Sequence, residues 1–493
     1  MLSTNMLILY PNARLILKSI FGKAFLAYLI LLSFSTFSVA LDPPAPRPNL
    51  LVILCDDLGY GDLSCFGHPH IRTPNLDRLA NEGIRLTNCY AAAPVCSPSR
   101  VGLLTGRNPN RAGIYDWIPQ GHAMHLSSDE RTIATMLRDA GYQTGLFGKW
   151  HCNGRFNQPT QPQPNDHGFD HWYATQNNAA PSHENPKNFV RNGQPVGPQE
   201  GFSCRLVAHE TSQWIRNRDD RSRPFFGFVC FHEPHEPVAS PAPLVESYEG
   251  VVSDSDQAHY YANVENMDAA VGDLLETLTE EGLLENTLIF FTSDNGPETL
   301  NRYKSARRSH GSPGSLRGMK LWVYEGGIRV PGIVYWPKGI KPGQTIDEPV
   351  CSIDLMPTFS TLAGNSTDSP KSLDGADLTE LLKKGTPIQR HTPLFWFYYR
   401  AFPKPKAALR EGDWIVLGHW DGPDLPPGGS VQKGDVDLIK KHQLVDFELY
   451  NLKDDPAQSN NLATNDPVRL DSLKKKLVEK FLEIQREGKY WDD

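Results

Sequence analysis

A run of six apolar residues, Leu50 to Cys55, ends without transition in Asp56-Asp57-Leu58-Gly59. Continuous apolarity over that length is the pattern of a strand covered on both faces, as in the interior of a parallel sheet. Such a strand obliges the chain to supply helices for both sides of the sheet. Further strand patterns occur at Pro224–Phe231, Thr287–Thr292 and Gly327–Trp336. Between them, Ile133, Met136, Leu137 and Ala140, then Val264, Met267, Val271, Leu274, Leu275 and Leu278, keep helical spacing. The alternation predicts an α/β fold, a large, mostly parallel sheet flanked by helices. From about Pro393 the pattern changes to short strands, Leu394–Tyr399 and Trp414–Leu417. A final helix carries Leu470, Leu473, Leu477, Phe481 and Ile484. A smaller carboxy-terminal α+β subdomain is expected there, giving a main domain over 49–390 and a second unit over 391–493.

The amino-terminal segment is different. Arg14, Lys18 and Lys23 precede the apolar run Ala24 to Leu32, and Ser38-Val39-Ala40 resembles a signal-peptidase site. Residues 1–40 read as a signal peptide and 41–48 as a linker; the competing reading is an uncleaved anchor. Export is expected, to a periplasmic, secreted or lysosome-like compartment, with no stable membrane span in the mature chain. A net charge of −8 over 493 residues argues against a nucleic-acid partner. Eight cysteines in an exported chain would ordinarily pair, but they are scattered. Cys55 and Cys230 lie inside strand patterns and are expected as buried free thiols. No Cys-x-x-Cys or Cys/His spacing points to zinc.

The polar residues are informative by position. Asp56-Asp57, Lys149 and His151, His235, and Asp294-Asn295 all follow directly after expected core strands. Ligands bind beyond the carboxyl ends of such strands. The acid pairs offer hard oxygen ligands suited to calcium or magnesium, or simply make turns. Lys149 and His151, two apart, face the same way on an extended backbone. His235, in Pro234-His235-Glu236-Pro237, competes with His232 for a role, and Lys320 reads equally as a solvated lysine.

Cys96-Ser97-Pro98-Ser99-Arg100 reads as a helix start, with Ser97 as cap and Pro98 at the first turn. Cys96 then sits at the positive helix end, with Arg100 one turn on. Other expected helices are Pro74–Gly83, one capped by Ser127 or Ser128 and reaching Ala140, Cys204–Asn217, and Ser352–Leu362. The Pro-, Asn- and Gln-rich stretch from Asn153 to Gly201 reads as long loops over a site.

Taken together, Asp56-Asp57-Leu58-Gly59, Pro74-Asn75-Leu76-Asp77-Arg78, Cys96-Ser97-Pro98-Ser99-Arg100 with Leu104-Thr105-Gly106-Arg107, Gly148-Lys149-Trp150-His151, Pro234-His235-Glu236-Pro237, Ser293-Asp294-Asn295-Gly296 and Glu325-Gly326-Gly327 resemble the motifs of the type I sulfatases, of the alkaline-phosphatase-like superfamily. They occur in family order across nearly all of the mature chain. The resemblance implies a sulfatase that hydrolyses a sulfate ester, on a carbohydrate rather than a simple aryl compound. It implies that a separate formylglycine-generating enzyme oxidises Cys96 to Cα-formylglycine, whose hydrate carries the attacking oxygen. It implies a calcium (Ca2+) ion held by Asp56, Asp57, Asp294, Asn295 and the oxygen at position 96. Lys149 and Lys320 would neutralise the sulfate, His235 or Lys320 would assist the leaving alcohol, His151 would act as base, and Arg100 would orient the modified residue. A phosphonate or phosphate ester hydrolase of the same superfamily is the alternative, and a non-catalytic glycan-binding protein a third reading. The family's segment after the second lysine differs here, as Leu321-Trp322-Val323-Tyr324, which leaves the substrate open. Arg307, Arg308, His310, Asp116, Trp117 and His122 are candidate specificity residues or solvated loop surface.

Overall fold

In the computed structural model, which describes residues 47–299, 304–365, 371–425 and 429–491, the first apolar run forms the central strand β1 (Asn49–Asp56). The expected signal peptide and most of the linker lie outside the described residues. Ten further strands complete the main sheet: β2 (Ile84–Tyr90), β3 (Gln143–Lys149), β4 (His171–Thr175), β5 (Val190–Arg191), β6 (Gln194–Pro195), β7 (Phe225–Pro234), β8 (Thr287–Ser293), β9 (Arg329–Tyr335), β10 (Gln344–Ile346) and β11 (Val350–Cys351). Their order is β10-β2-β9-β8-β1-β7-β3-β4-β5-β6, with β11 beside β2. The central block β8-β1-β7-β3-β4 is parallel throughout, and β9 runs antiparallel to both its neighbours.

β1 is apolar throughout because its alternate side chains enter two different cores. Leu50, Val52 and Leu54 join Leu103 and Leu104 of helix Cys96–Thr105 and Phe359 of helix Leu355–Leu362. Leu51, Ile53 and Cys55 join Val264, Met267, Val271 and Leu278 of helix Ser255–Glu280 on the opposite face. Each such fully buried aliphatic side chain contributes about 2 kcal/mol.

A second, antiparallel sheet consists of β12 (Leu394–Phe397), β13 (Pro405–Glu411), β14 (Trp414–Trp420) and β15 (Leu444–Asn451). Leu473, Leu477, Phe481 and Ile484 of helix Pro467–Glu487 belong to the same core cluster as Leu50 and Leu409. The other face of this sheet, through Trp396 and Ile415, packs with Val95, Cys96 and Leu321. The carboxy-terminal strands therefore reach the start of helix Cys96–Thr105.

Three local expectations change. Helix Cys96–Thr105 begins one residue before Ser97, after Val95, and the Ser97 Oγ instead accepts a hydrogen bond from the Ile118 N–H at 3.0 Å. Helix Ile133–Asp139 is capped by Thr132, whose side chain accepts from the Thr135 N–H, and not by Ser127 or Ser128. The 153–201 stretch is not loop throughout: β4 within it pairs parallel with β3. All eight cysteines are free, with Cys55 and Cys230 buried in β1 and β7.

Candidate active site

Four adjacent parallel strands bring their carboxyl ends to one edge of the sheet. Asp294-Asn295 follows β8, Asp56-Asp57 closes β1, His235 follows β7 and Lys149 ends β3. Lys149 depends on its predecessor. Gly148 has φ of +99°, and a Cβ there would stand 1.9 Å from the Cys230 carbonyl oxygen on β7, so only glycine fits.

Charges at this edge interlock. The Lys149 Nζ lies 2.6 Å from Asp56 Oδ2, and the Lys320 Nζ lies 2.7 Å from Asp57 Oδ2. Arg100 donates from Nε to Asp294 Oδ2 at 2.9 Å and from Nη1 to the Lys149 carbonyl oxygen at 2.9 Å. The Asn295 Nδ2 donates to Asp57 Oδ1 at 2.7 Å, and the Asp57 N–H donates to Asp294 Oδ1 at 3.2 Å. All of these side chains are buried, Lys320 included, so it is not a solvated lysine.

The oxygen set fits a hard divalent cation. Asp56 Oδ1 and Asn295 Oδ1 are buried with no hydrogen-bond donor. Asp56, Asp57 and His235 offer ligand atoms within 4.8 Å of one another. Burial, and then the Asp56 charge, push the Asp294 carboxyl up to about 7. Burial acts on Asp56 too, but Lys149, His235, Arg100 and Lys320 together hold it well below the usual carboxylate range. A divalent cation among these oxygens would relieve the repulsion between Asp56 and Asp294. Carboxylate and amide oxygens suit calcium or magnesium.

Cys96 is the first residue of helix Cys96–Thr105 and lines a cavity of about 430 Å³ together with His151, His235 and Lys320. Burial pushes its thiol up to about 11, although Lys149 and Lys320 pull the other way. As a plain cysteine it would be protonated at neutral pH and a poor nucleophile.

The two histidines are anchored through different ring nitrogens. His151 Nε2 sits 3.1 Å from the Ile118 carbonyl oxygen, which only accepts. Nε2 therefore carries the proton, and the buried, unpartnered Nδ1 keeps a lone pair. Burial, then Lys149 and Arg100, hold this imidazole well below its ordinary pKa, so it is neutral. His235 donates from Nδ1 to the Glu236 carbonyl oxygen at 2.7 Å, and its Nε2 lies 3.6 Å from Asp57 Oδ2. His232 instead pairs with Thr175 Oγ1 at 2.8 Å and is absent from the cavity lining, which makes it a packed histidine.

Asp57, His151 and Leu321 have φ of 64°, 51° and 68°. Left-handed backbone at non-glycine residues costs about 1–3 kcal/mol each and gathers at functional sites. Here His151 and Leu321 line the cavity, and Asp57 is bound to Lys320, which lines it too.

Of the specificity candidates, Trp117 lines the cavity and Asp116 is buried behind it. Arg308 is tied to Asp256 Oδ1 at 3.1 Å and the Val238 carbonyl oxygen at 2.8 Å, and His310 faces Asp254 at 3.6 Å. Neither reaches the lining, nor do Arg307 and His122. Asn177, Asn178 and Tyr398 do line it and were missed from sequence. The two asparagines follow the end of β4, so the rule that found the other strand ends would have found them had that short strand been recognised.

Residues 48–365 match the Sulfatase family profile, and residues 319–412 match the profile of the carboxy-terminal part of N-sulphoglucosamine sulphohydrolase. Arylsulfatase A of Bos taurus is 37% identical over 456 residues, covering 85% of this chain and 84% of that protein. N-acetylgalactosamine-6-sulfatase of Sus scrofa is 31% identical over 477 residues, covering 90% and 87%. The crystal structure of Ps i-CgsB in complex with k-i-k-neocarrahexaose is similar with a TM-score of 0.75 and 26% identity, covering 91% of this chain and 95% of that one. With a family profile spanning the main sheet and its polar strand ends, and curated relatives above 30% identity over most of its length, this chain belongs to the sulfatase family.

Proposed function

We propose that this chain is a sulfuric ester hydrolase that converts a sulfate ester on a carbohydrate to the alcohol and inorganic sulfate. The observation that carries this reading is the placement of Cys96 in one cavity with His151, His235 and Lys320, beside a buried cluster of hard oxygens. A calcium ion would be held by Asp56, Asp57, Asp294 and Asn295, where it supplies Lewis-acid polarisation of a sulfate oxygen. Conversion of Cys96 to formylglycine by a formylglycine-generating enzyme supplies the attacking hydroxyl in its hydrated form, which resolves the difficulty of a thiol held up near 11.

The remaining roles belong to this chain's own side chains. Lys149 and Lys320 carry the positive charge that offsets sulfate, and both are buried, where such charges act strongly. His151, neutral with a lone pair on Nδ1, accepts a proton at position 96. His235, with its Nδ1 proton tied to Glu236, presents Nε2 to the cavity, and in its doubly protonated form, facing the Asp57 carboxylate, it hands the Nε2 proton to the leaving alcohol. Arg100 holds Asp294 and the backbone at Lys149, fixing the helix start against two strands.

Among the described residues no helix is long and apolar enough to cross a membrane. The signal-like residues 1–40 support export to a periplasmic, secreted or lysosome-like compartment. The test is turnover of 4-nitrophenyl sulfate against 4-nitrophenyl phosphate, paired with mass spectrometry of the Cys96 peptide. Sulfate turnover with an aldehyde at position 96 is expected. Phosphatase activity dominating by orders of magnitude would replace this reading with that of a phosphate or phosphonate ester hydrolase.

A further inference from the structure

Ile118 lies in a segment that is neither helix nor strand, so its backbone groups need partners of another kind. Side chains supply them. The Ser97 Oγ accepts the Ile118 N–H at 3.0 Å. The Ile118 carbonyl oxygen accepts from His151 Nε2 at 3.1 Å and from Gln176 Nε2 at 3.1 Å, which uses both of its lone pairs. Gln176 also braces His151 from a second side, since its own carbonyl oxygen accepts the His151 N–H at 2.7 Å. Its Nε2 donates to the Asn153 carbonyl oxygen as well, at 2.9 Å. Ser97, Ile118 and His151 are all buried, and Gln176 is half-buried.

The bond to Ile118 is what orients the His151 ring, because Nδ1 has no partner within the protein. It fixes two things together: the direction in which Nδ1 points, and the tautomer that leaves Nδ1 its lone pair. An acceptor in irregular backbone can hold a ring only if it is itself held. Ser97 and Gln176 do this from opposite sides of one residue, the first on the N–H and the second on the carbonyl. Ser97 directly follows Cys96 in helix Cys96–Thr105. The helix start that carries position 96 is thereby joined, through Ile118, to the ring that faces the same cavity.

We propose that Ser97 and Gln176 are positioning residues for the base His151, acting through the backbone of Ile118. Neither touches the reacting atoms. Removing the Ser97 hydroxyl frees the Ile118 N–H, and removing the Gln176 amide frees one side of its carbonyl. In both cases the acceptor for His151 Nε2 loses its fixed place, and the ring loses orientation and tautomer with it. Binding of the sulfate ester, which depends on other groups, is left alone. The role exists only if His151 is the base of a sulfatase, and so it rests on that reading.

The experiment measures kcat and KM on 4-nitrophenyl sulfate for Ser97→Ala, Ser97→Thr and Gln176→Leu, and for Ser97→Ala and Gln176→Leu each combined with His151→Ala. Rates are taken per mole of aldehyde at position 96, counted by mass spectrometry, so that poor conversion beside Cys96 does not mimic poor catalysis. Ser97→Ala and Gln176→Leu are each expected to lower kcat about tenfold, with KM changed less than about twofold. Ser97→Thr, which keeps the hydroxyl, is expected to retain most of kcat. In the His151→Ala background neither substitution should lower kcat further, because the ring they position is gone. Magnetic resonance of isotope-labelled histidine should show the His151 ring protonated at Nε2 in wild type and as a tautomer mixture in Ser97→Ala. Losses that multiply with that of His151→Ala, or an unchanged His151 tautomer, would overturn the positioning role while leaving the sulfatase reading intact. If Ser97→Ala fails to fold or to be converted, Gln176→Leu, remote from the modified motif in sequence, carries the same comparison. Wild type that bears the aldehyde and cleaves no sulfate ester would overturn the sulfatase reading itself, and this role with it.

Discussion

Lys149 and Asp56 stand 93 residues apart in sequence and meet with 2.6 Å between Nζ and Oδ2, both side chains fully buried. β7 separates their strands, so the pair spans the carboxyl edge of the sheet across one intervening strand. Removing one partner strands a charge in low dielectric, since the nearest other cation to Asp56 is Arg100 at 3.8 Å. Lys149→Ala is expected to lose about 3 kcal/mol of stability. It is also expected to lose roughly 10²-fold or more in kcat on 4-nitrophenyl sulfate. Urea unfolding and steady-state kinetics read the two effects separately, and a folded variant with full activity would remove Lys149 from the mechanism.

Withdrawing the cation is expected to act on stability as well as on rate. Dialysis against a chelator should lower the thermal midpoint and abolish turnover, and calcium should restore both. At a calcium concentration about a hundred times its Kd the gain is about 2.7 kcal/mol. Asn295→Leu removes one of the two donorless oxygens and is expected to blunt the calcium-dependent rise in midpoint. A midpoint indifferent to chelator and calcium in the wild type would count against a resident metal.

Asp62 provides a pH test outside the cavity. Burial raises its carboxyl to about 7, although Tyr260, Gly59 and Ser312 all donate to it. The folded state thus keeps a proton that the unfolded state releases near pH 4, so this residue's contribution falls as pH rises from about 4 to 7 and is flat above. The span is about 4 kcal/mol at most. Asp62→Asn, which cannot ionise, should therefore be more destabilised relative to wild type at pH 5 than at pH 8. A difference that stays constant across that range in urea unfolding would contradict the raised carboxyl.

Arg111 anchors the carboxy-terminal helix. It is buried and pairs through Nε with Asp374 at 2.9 Å, and it also binds Glu483 and Glu487 of helix Pro467–Glu487. Arg111→Ala is expected to cost about 3 kcal/mol because Asp374 is left buried without it. Glu483→Gln, at a half-exposed position, should cost under about 1 kcal/mol. Equal effects of the two substitutions in urea unfolding would show that burial does not govern this network.

Much of the fold was legible because burial on two faces leaves an unmistakable trace: β1 and β8 cannot be written as amphipathic strands. Asp56-Asp57, Lys149, His235 and Asp294-Asn295 were legible for the related reason that each stands directly after such a run. β4 was not legible, because a five-residue strand in a Pro- and Asn-rich stretch has too short a pattern to outweigh its turn-forming neighbours. The cap at Ser97 misled because serine competes equally well for other partners, and here it accepts from Ile118. His232 and His235 could not be separated on composition, since only packing against Thr175 distinguishes them.

The amino-acid sequence by itself determined the class of fold, the order of its strands and helices along the chain, and the set of polar residues placed at strand ends. These depend on periodicity and on chain order, which are local properties. Only the tertiary structure decided which acid meets which cation, which histidine nitrogen keeps its lone pair, and that Tyr398 from beyond the second sheet's first strand joins Asn177 and Trp117 around Cys96. Those outcomes depend on crossovers that bring distant segments into contact, and on burial that shifts protonation once they are there. No window of sequence contains either.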